Sequence, residues 1–192
     1  MAAPRILAFA GSVRQESFNR RLLPAAIAGA RGAGAEVSHI ELADHPLPLF
    51  DQDRESREGL PPGVRPLKEL FKGHRGLLLA CPEYNSSITP LLKNTLDWVS
   101  RRDGAEAGSV PYKNKVVGLV SASAGRWAGM RGLRHVREIL TTLGCIVLPE
   151  QYCLSGADVA FDERGEIKDE KVRAGAAAIG ARLATFLNNG PN

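Results

Sequence analysis

Apolar positions along the chain fall into two kinds of run: short continuous ones, and longer ones that repeat every third or fourth residue. Arg5 to Ala10, Leu77 to Cys81, Lys115 to Val120 and Cys145 to Leu148 are essentially continuous, while Glu36 to Leu42 alternates apolar with polar. Continuous runs bounded by Gly or Pro fit strands buried on both faces of a parallel sheet, and the alternating run fits a half-exposed edge. Helical spacing separates or follows them at Phe18, Leu22, Ala26 and Ala30, at Leu67, Leu70 and Phe71, and at Leu92, Leu96 and Val99. It recurs at Leu133, Val136, Leu140 and Leu143, and at Val172, Ala176, Ile179, Leu183 and Phe186. Thr89 with Pro90 and Asp169 read as helix starts, Gly144 as a stop. Pro24 falls inside the first helix and is expected to remove a hydrogen bond or bend its axis, and Pro149 to end the fifth strand.

Five strands alternating with five helices, without an internal repeat, predict one α/β domain over residues 1–192. The architecture expected is a three-layer sandwich around a five-stranded parallel sheet in the flavodoxin-like order 2-1-3-4-5. Three connections stand out. Ala43 to Pro66, rich in Pro, Asp, Glu and Arg, reads as a long loop; Arg101 to Tyr112 reads as a mobile loop near a site mouth; Gly156 to Gly165 is a second excursion.

In such a sheet ligands bind beyond the carboxyl ends of the strands, where the order reverses between the first and the third. Both strands end in polar loops. Gly11-Ser12-Val13-Arg14-Gln15-Glu16-Ser17-Phe18-Asn19 leads into a helix, whose free N–H groups and dipole favour a phosphate. Ser12, Ser17 and Asn19 offer neutral donors and Arg14 a charged one, although Ser17 as a plain helix cap and Arg14 as a solvated residue is the competing reading. Neither GxGxxG nor GxxxxGK[ST] is present, and the missing Lys argues against a nucleotide triphosphatase. After the third strand, Pro82-Glu83-Tyr84-Asn85-Ser86-Ser87-Ile88 offers a Tyr among hydrogen-bonding groups. The fourth strand ends in the small residues Ser121-Ala122-Ser123-Ala124-Gly125, which let a planar ligand approach the backbone.

Composition narrows the classes. Twenty-five Lys and Arg against 21 Asp and Glu give the 192 residues a net charge of +4, not gathered into a tail. That modest excess suits anionic small molecules and not a nucleic-acid surface. No segment approaches the roughly 20 apolar residues that span a bilayer, and no signal-peptide pattern opens the chain, so no membrane partner and a cytoplasmic location are expected. Cys81, Cys145 and Cys153 lack metal-site spacing and read as free thiols, with no metal site expected.

A monophosphate seat at one loop and a flat slot at the other two suit FMN better than a dinucleotide. The motifs Gly11-Ser12-x-Arg14-x-x-Ser17-x-Asn19 and Pro82-Glu83-Tyr84-Asn85-x-Ser87, with Leu92-Lys93-Asn94-x-x-Asp97-Trp98, resemble the NADPH-dependent FMN reductase family of flavodoxin-like quinone, chromate and azo reductases. Leu47 to Asp53 and Leu133-Arg134 extend the likeness to roughly residues 5–187. The resemblance implies that Ser12, Arg14, Ser17 and Asn19 hold the FMN phosphate, and Phe18, which opens the helix beside them, is counted with the cofactor-binding residues. It implies that Pro82, Glu83, Tyr84 and Asn85 line the isoalloxazine ring, with Ser121, Ser123 and Gly125 on its other side. Also implied are a homodimer or homotetramer, with subunit contacts through Trp98 and the 43–66 segment, although a Trp at helical spacing beside the apolar stripe reads first as a core residue. NADPH or NADH would be the donor, and a quinone, flavin, azo compound or metal oxyanion the acceptor, by ping-pong hydride transfer with no protein group named for proton transfer. Where family members carry a Gly-Gly pair, this chain reads Ser123-Ala124-Gly125-Arg126-Trp127-Ala128-Gly129, with a bulkier Trp127 and an Arg126 that is either solvated or a partner for a 2′-phosphate. The alternatives are an electron-transfer flavodoxin with a protein partner, against which the basic charge and Arg14 count, and a non-catalytic FMN-binding module.

Overall fold

The structure, a computed structural model, describes residues 2–190. Strands β1 (Arg5–Ala10), β2 (Glu36–His39) and β3 (Gly76–Ala80) come first, with helices α1 (Phe18–Gly32), α2 (Gln52–Glu58) and α3 (Val64–Lys72) between them. A hairpin of β4 (Glu83–Tyr84) and β5 (Ser87–Ile88) precedes α4 (Pro90–Val99). Then follow β6 (Val116–Ala122), α5 (Met130–Thr142), β7 (Ile146–Leu154) and α6 (Glu170–Asn189). The main sheet runs β2-β1-β3-β6-β7, all parallel, with Leu7 opposite Leu77 and Leu77 opposite Val117. With the hairpin set aside, this is the order expected from the alternating pattern.

Because both faces of the central strands are covered, alternate side chains enter separate cores. Ile6, Ala8, Leu78 and Val120 pack against Leu22, Ala26, Ile179 and Leu183 of α1 and α6. Leu7, Phe9, Leu79 and Leu119 pack against Leu67, Phe71, Leu96 and Val136 of α3, α4 and α5. Helices α1 and α6 meet through small residues, since a β-carbon at Gly29 would overlap the Ala177 carbonyl and one at Gly180 the Ala26 carbonyl. Pro24 leaves α1 unbroken and lies on its exposed side, away from the core that Leu22, Leu23 and Ala26 face.

Four expectations are corrected. The 43–66 segment is not all loop: it holds a 3-10 turn at Leu42–Asp44 and α2, whose first turn is capped by Asp51 Oδ1 accepting from Asp53 N at 2.9 Å. Trp98 is fully buried, as its helical spacing suggested, with its Nε1 donating to Pro48 O at 2.7 Å and its ring edge-on to Phe50, so it ties that segment to α4 and what falls is the subunit contact that the resemblance implied for it. The fifth strand does not stop at Pro149, because β7 is an edge strand and absorbs the missing donor in a bulge, its register slipping between the partners Val117 and Leu119. Finally, the Arg101–Tyr112 connection is pinned along α2 and α3, with Arg65 on Asp103 at 2.9 Å and Arg101 on Glu55 at 2.8 Å.

Candidate functional site

Three segments leave the carboxyl ends of adjacent strands: Gly11–Ser17 after β1, Cys81–Pro82 with the hairpin after β3, and Ser123–Gly129 after β6. Bonds crossing between them fix their spacing. Gly11 N donates to Ala80 O at 2.9 Å, and the Thr89 hydroxyl, which caps α4 by accepting from Leu92 N at 3.2 Å, donates to Gly11 O at 2.7 Å. Thr89 thus binds the end of β1 to the start of α4, and a β-carbon at Gly11 would press to 3.1 Å from Leu92 Cβ.

The first loop is built around an unspent helix N-terminus. Ser17 sits at the N-cap of α1 with extended backbone, yet its hydroxyl makes no cap hydrogen bond, and the first turn carries no acid. Its first N–H groups therefore face outward with the positive end of the dipole. Ser12 is buried and accepts from Arg14 N at 3.3 Å. The Arg14 guanidinium lies 5.6 Å over the Phe18 ring, which is itself stacked on Phe161. The nearby Glu16 carboxylate is paired with Arg21. Asn19, expected among the phosphate donors, is instead 3% exposed and clasps the end of β6: its Nδ2 donates to Ala122 O at 2.9 Å and its Oδ1 accepts from Ala122 N at 3.0 Å.

The second loop turns back on itself. Asn85 and Ser86 have φ of 49° and 69°, the pair of left-handed residues that a two-residue hairpin turn demands. Pro82 is buried and Tyr84 is 51% exposed at the hairpin's side. Glu83, expected along the ring, sends its carboxylate into α5, where Oε2 accepts from Gly132 N at 3.0 Å and Oε1 from Arg131 Nε at 2.8 Å. An anion at a helix N-terminus is favoured there, so this end of α5 is already neutralised from within. Ser87 Oγ bonds His135 Nδ1 at 2.8 Å, a second strap from hairpin to helix.

The third loop is drawn tight under its own start. Ser121 is fully buried and donates to Ala128 O at 2.5 Å, so it does not face the crevice as expected. Ala128 and Gly129 have φ of 52° and 82°, and a side chain at Gly129 would overlap Ser121 Oγ. Ser123, whose Oγ accepts from Gly125 N at 3.2 Å, and exposed Gly125 remain at the surface. Trp127 is 44% exposed, flanked by the guanidiniums of Arg126 and Arg131. Of the residues singled out by sequence, Ser12, Arg14, Ser17, Phe18, Pro82, Tyr84, Asn85, Ser123 and Gly125 thus sit on the loops at this one edge, while Asn19, Glu83 and Ser121 spend their polar side-chain atoms holding it together. Thr89 and Arg131 were missed: Thr89 showed only as a cap, and nothing near Arg131 in sequence names Glu83.

Residues 4–159 match the family model described as NADPH-dependent FMN reductase. The chain belongs to that family. It is 35% identical over 171 residues to an NAD(P)H-dependent FMN reductase of Pseudomonas aeruginosa, covering 88% of this chain and 87% of that protein. It is 31% identical over 172 residues to a quinone reductase of Escherichia coli, covering 86% of each. Among solved structures, FerB, a flavoenzyme NAD(P)H:(acceptor) oxidoreductase of Paracoccus denitrificans, shares the fold with a TM-score of 0.79 at 23% identity, covering 97% of this chain and 98% of that one. The protein is accordingly an oxidoreductase of the FMN- and NAD(P)H-using kind. No helix among the described residues is long and apolar enough to cross a membrane.

Proposed function

We propose that this FMN reductase family member binds FMN across the three loops and passes electrons from NADPH or NADH to a small acceptor, a quinone, flavin, azo compound or metal oxyanion. The observation that carries the reading is the N-terminus of α1, with a Ser17 hydroxyl unspent on capping, no acid in the first turn, and Arg14 lying on Phe18. Such a seat fits a phosphate monoester, which gains charge-assisted hydrogen bonds from guanidinium and N–H groups together. Pro82, Tyr84 and Asn85 on one side, and Ser123 with Gly125 on the other, would flank the flat ring.

FMN supplies the redox chemistry, accepting hydride from a nicotinamide and giving it up again. The chain's part is positional. Thr89 and Asn19 keep the loops at a fixed separation, the half-exposed Tyr84 offers an aromatic face to a planar ligand, and Arg14 offsets the phosphate charge. Donor and acceptor would use one slot in turn, a ping-pong scheme whose double-reciprocal plots at several fixed acceptor concentrations are parallel. The unit is proposed to be the whole chain as a single cytoplasmic domain, assembled as a homodimer or homotetramer.

The test is to mix the purified protein with FMN, remove free flavin, record the visible spectrum, and add NADPH or NADH without oxygen. A yellow band that bleaches is the expected result. A protein that stays colourless and shows no affinity for FMN would sink the reading.

A further inference from the structure

The excursion between β7 and α6 is bound to the first and third loops at once, and the reading above gives it no part. Near its start Ala157, fully buried, donates its N–H to Ser123 O at 3.2 Å. Further on, Phe161 lies along Phe18, the first residue of α1, with ring centroids 6.1 Å apart and the planes 3° from parallel. The Arg14 guanidinium lies over that same Phe18 ring at 5.6 Å, so Arg14, Phe18 and Phe161 form one continuous run of contacts.

Phe161 is the anchored end of that run. It is 7% exposed, bridges to Ile167, and precedes Asp162, whose Oδ1 accepts from Arg164 N at 2.9 Å and from Glu166 N at 2.8 Å. Phe18 is half-buried and Arg14 is exposed, so order decreases outward from the excursion to the cation. The excursion meets α1 a second time, because a β-carbon at Gly165 would lie 3.3 Å from Arg21 Nε. Arg21 is the partner of Glu16, the one acid between Gly11 and Asn19.

A guanidinium settles on a ring face through the ring's quadrupole, and a ring held in a parallel stack offers that face in one orientation. Arg14 pairs with no acid among the described residues, so the Phe18 face is what orients it. A cation oriented in advance loses less side-chain freedom when it closes on an anion.

We propose that Phe161 is a positioning residue for the phosphate of FMN: by fixing the plane of Phe18 it presets Arg14 beside the N-terminus of α1, and so sets the preference for FMN over unphosphorylated riboflavin. The inference rests on the FMN reading and extends it to a residue beyond the stretch that matches the family, one that acts through two others and touches no part of the cofactor.

The test is titration of the flavin-free full chain with FMN and with riboflavin, read by flavin fluorescence. It is run on wild type, on Phe161→Leu and Phe161→Met, which keep an apolar side chain without a ring, and on Phe161→Tyr, which keeps the ring. Wild type should bind FMN about tenfold or more tightly than riboflavin, as charge-assisted bonds to one phosphate imply. The two ringless variants should lose about threefold to tenfold of that ratio through weaker FMN binding alone, the worth of a ring face and of one preordered side chain. Riboflavin affinity should not change, and Phe161→Tyr should hold the wild-type ratio. In an Arg14→Ala background Phe161→Leu should alter the ratio no further, because the residue acts through that guanidinium. A ratio unmoved by loss of the ring, FMN and riboflavin affinities that fall together, or an equal loss with Arg14 already removed would overturn the inference. Equal affinity of the wild type for the two flavins is a separate failure, since it removes the phosphate seat itself, and the inference with it, before any substitution is made.

Discussion

Around the connection from α4 to β6 the prominent charges have partners, whereas along the crevice several have no acidic partner among the described residues. Arg65 holds Asp103, Arg101 holds Glu55, and Lys68 and Lys72 both reach Glu106, at 3.1 and 2.7 Å. Nearby, Lys115 donates to His74 O, and the buried His74 ring lies between Leu70 O and Ser38 Oγ at 2.6 and 2.8 Å, with burial pushing its pKa down. On the other side, Arg14 and Arg126 rest on aromatic rings, and Arg134 pairs with no acid among the described residues. Of the four non-glycine left-handed residues among those described, Asn85, Ser86 and Ala128 lie on the crevice side, and Asn114 lies just before β6. A region whose charges are mutually satisfied serves the fold. One that keeps cations and N–H groups open gives up that stabilisation and is ready for an anion.

The largest expected effect blurs this division, because Asn19 lies at the crevice yet works for the fold. Asn19→Ala should cost the flavin-free protein about 3 kcal/mol, since it strands both the N–H and the carbonyl of Ala122, each worth about 1–3 kcal/mol when left unpaired. Urea unfolding without FMN measures it. If apo stability held and only FMN affinity fell, Asn19 would be a phosphate donor after all. Arg14→Ala should do the reverse, weakening FMN by about 1.5–3 kcal/mol, the worth of a charge-assisted bond, with unfolding of the flavin-free protein nearly unchanged. Fluorescence titration with FMN reads it, and an unaltered affinity would return Arg14 to the role of a solvated loop residue.

Much of the scaffold was visible in the residues alone. The runs at Leu7, Leu77 and Val117 announce strands buried on both faces, and the spacing of Leu92 and Leu96 announces a helix, because burial imposes period on sequence. What was hidden lacked that imprint. Helix α2 buries no residue, so only the Asp51 cap marks it. The hairpin at Glu83 has two residues per strand, too few for alternation to register, and its Asn-Ser turn is a weaker signal than Asn-Gly. β7 runs through Pro149 because it lies at an edge, and edge position follows from the whole topology. At the site, residue types were legible and directions were not. Whether Asn19, Glu83 and Ser121 face a ligand or the scaffold depends on partners 103, 49 and 7 residues away, respectively.

The smallest effect tests the paired region and should leave the crevice alone. Lys68 is buried, its side chain 2% exposed, and its charge is met by Glu106 and by the Arg101 carbonyl at 2.6 Å. Glu106→Gln removes the negative partner but keeps that carbonyl. The loss should therefore be about 1–2 kcal/mol, above a surface pair and below a fully buried one. Hydrogen bonds from Lys72 and then Lys68 hold the Glu106 carboxyl below its ordinary range. A carboxylate depressed in the native state stabilises fully above its unfolded pKa and loses that contribution as pH falls through the native value. Wild type and Glu106→Gln should thus differ in melting temperature near neutrality and converge in acid, with FMN affinity the same in both. A gap that persisted at low pH would mean that Glu106 acts by packing and not by charge, and a change in FMN affinity would mean that the two regions are coupled.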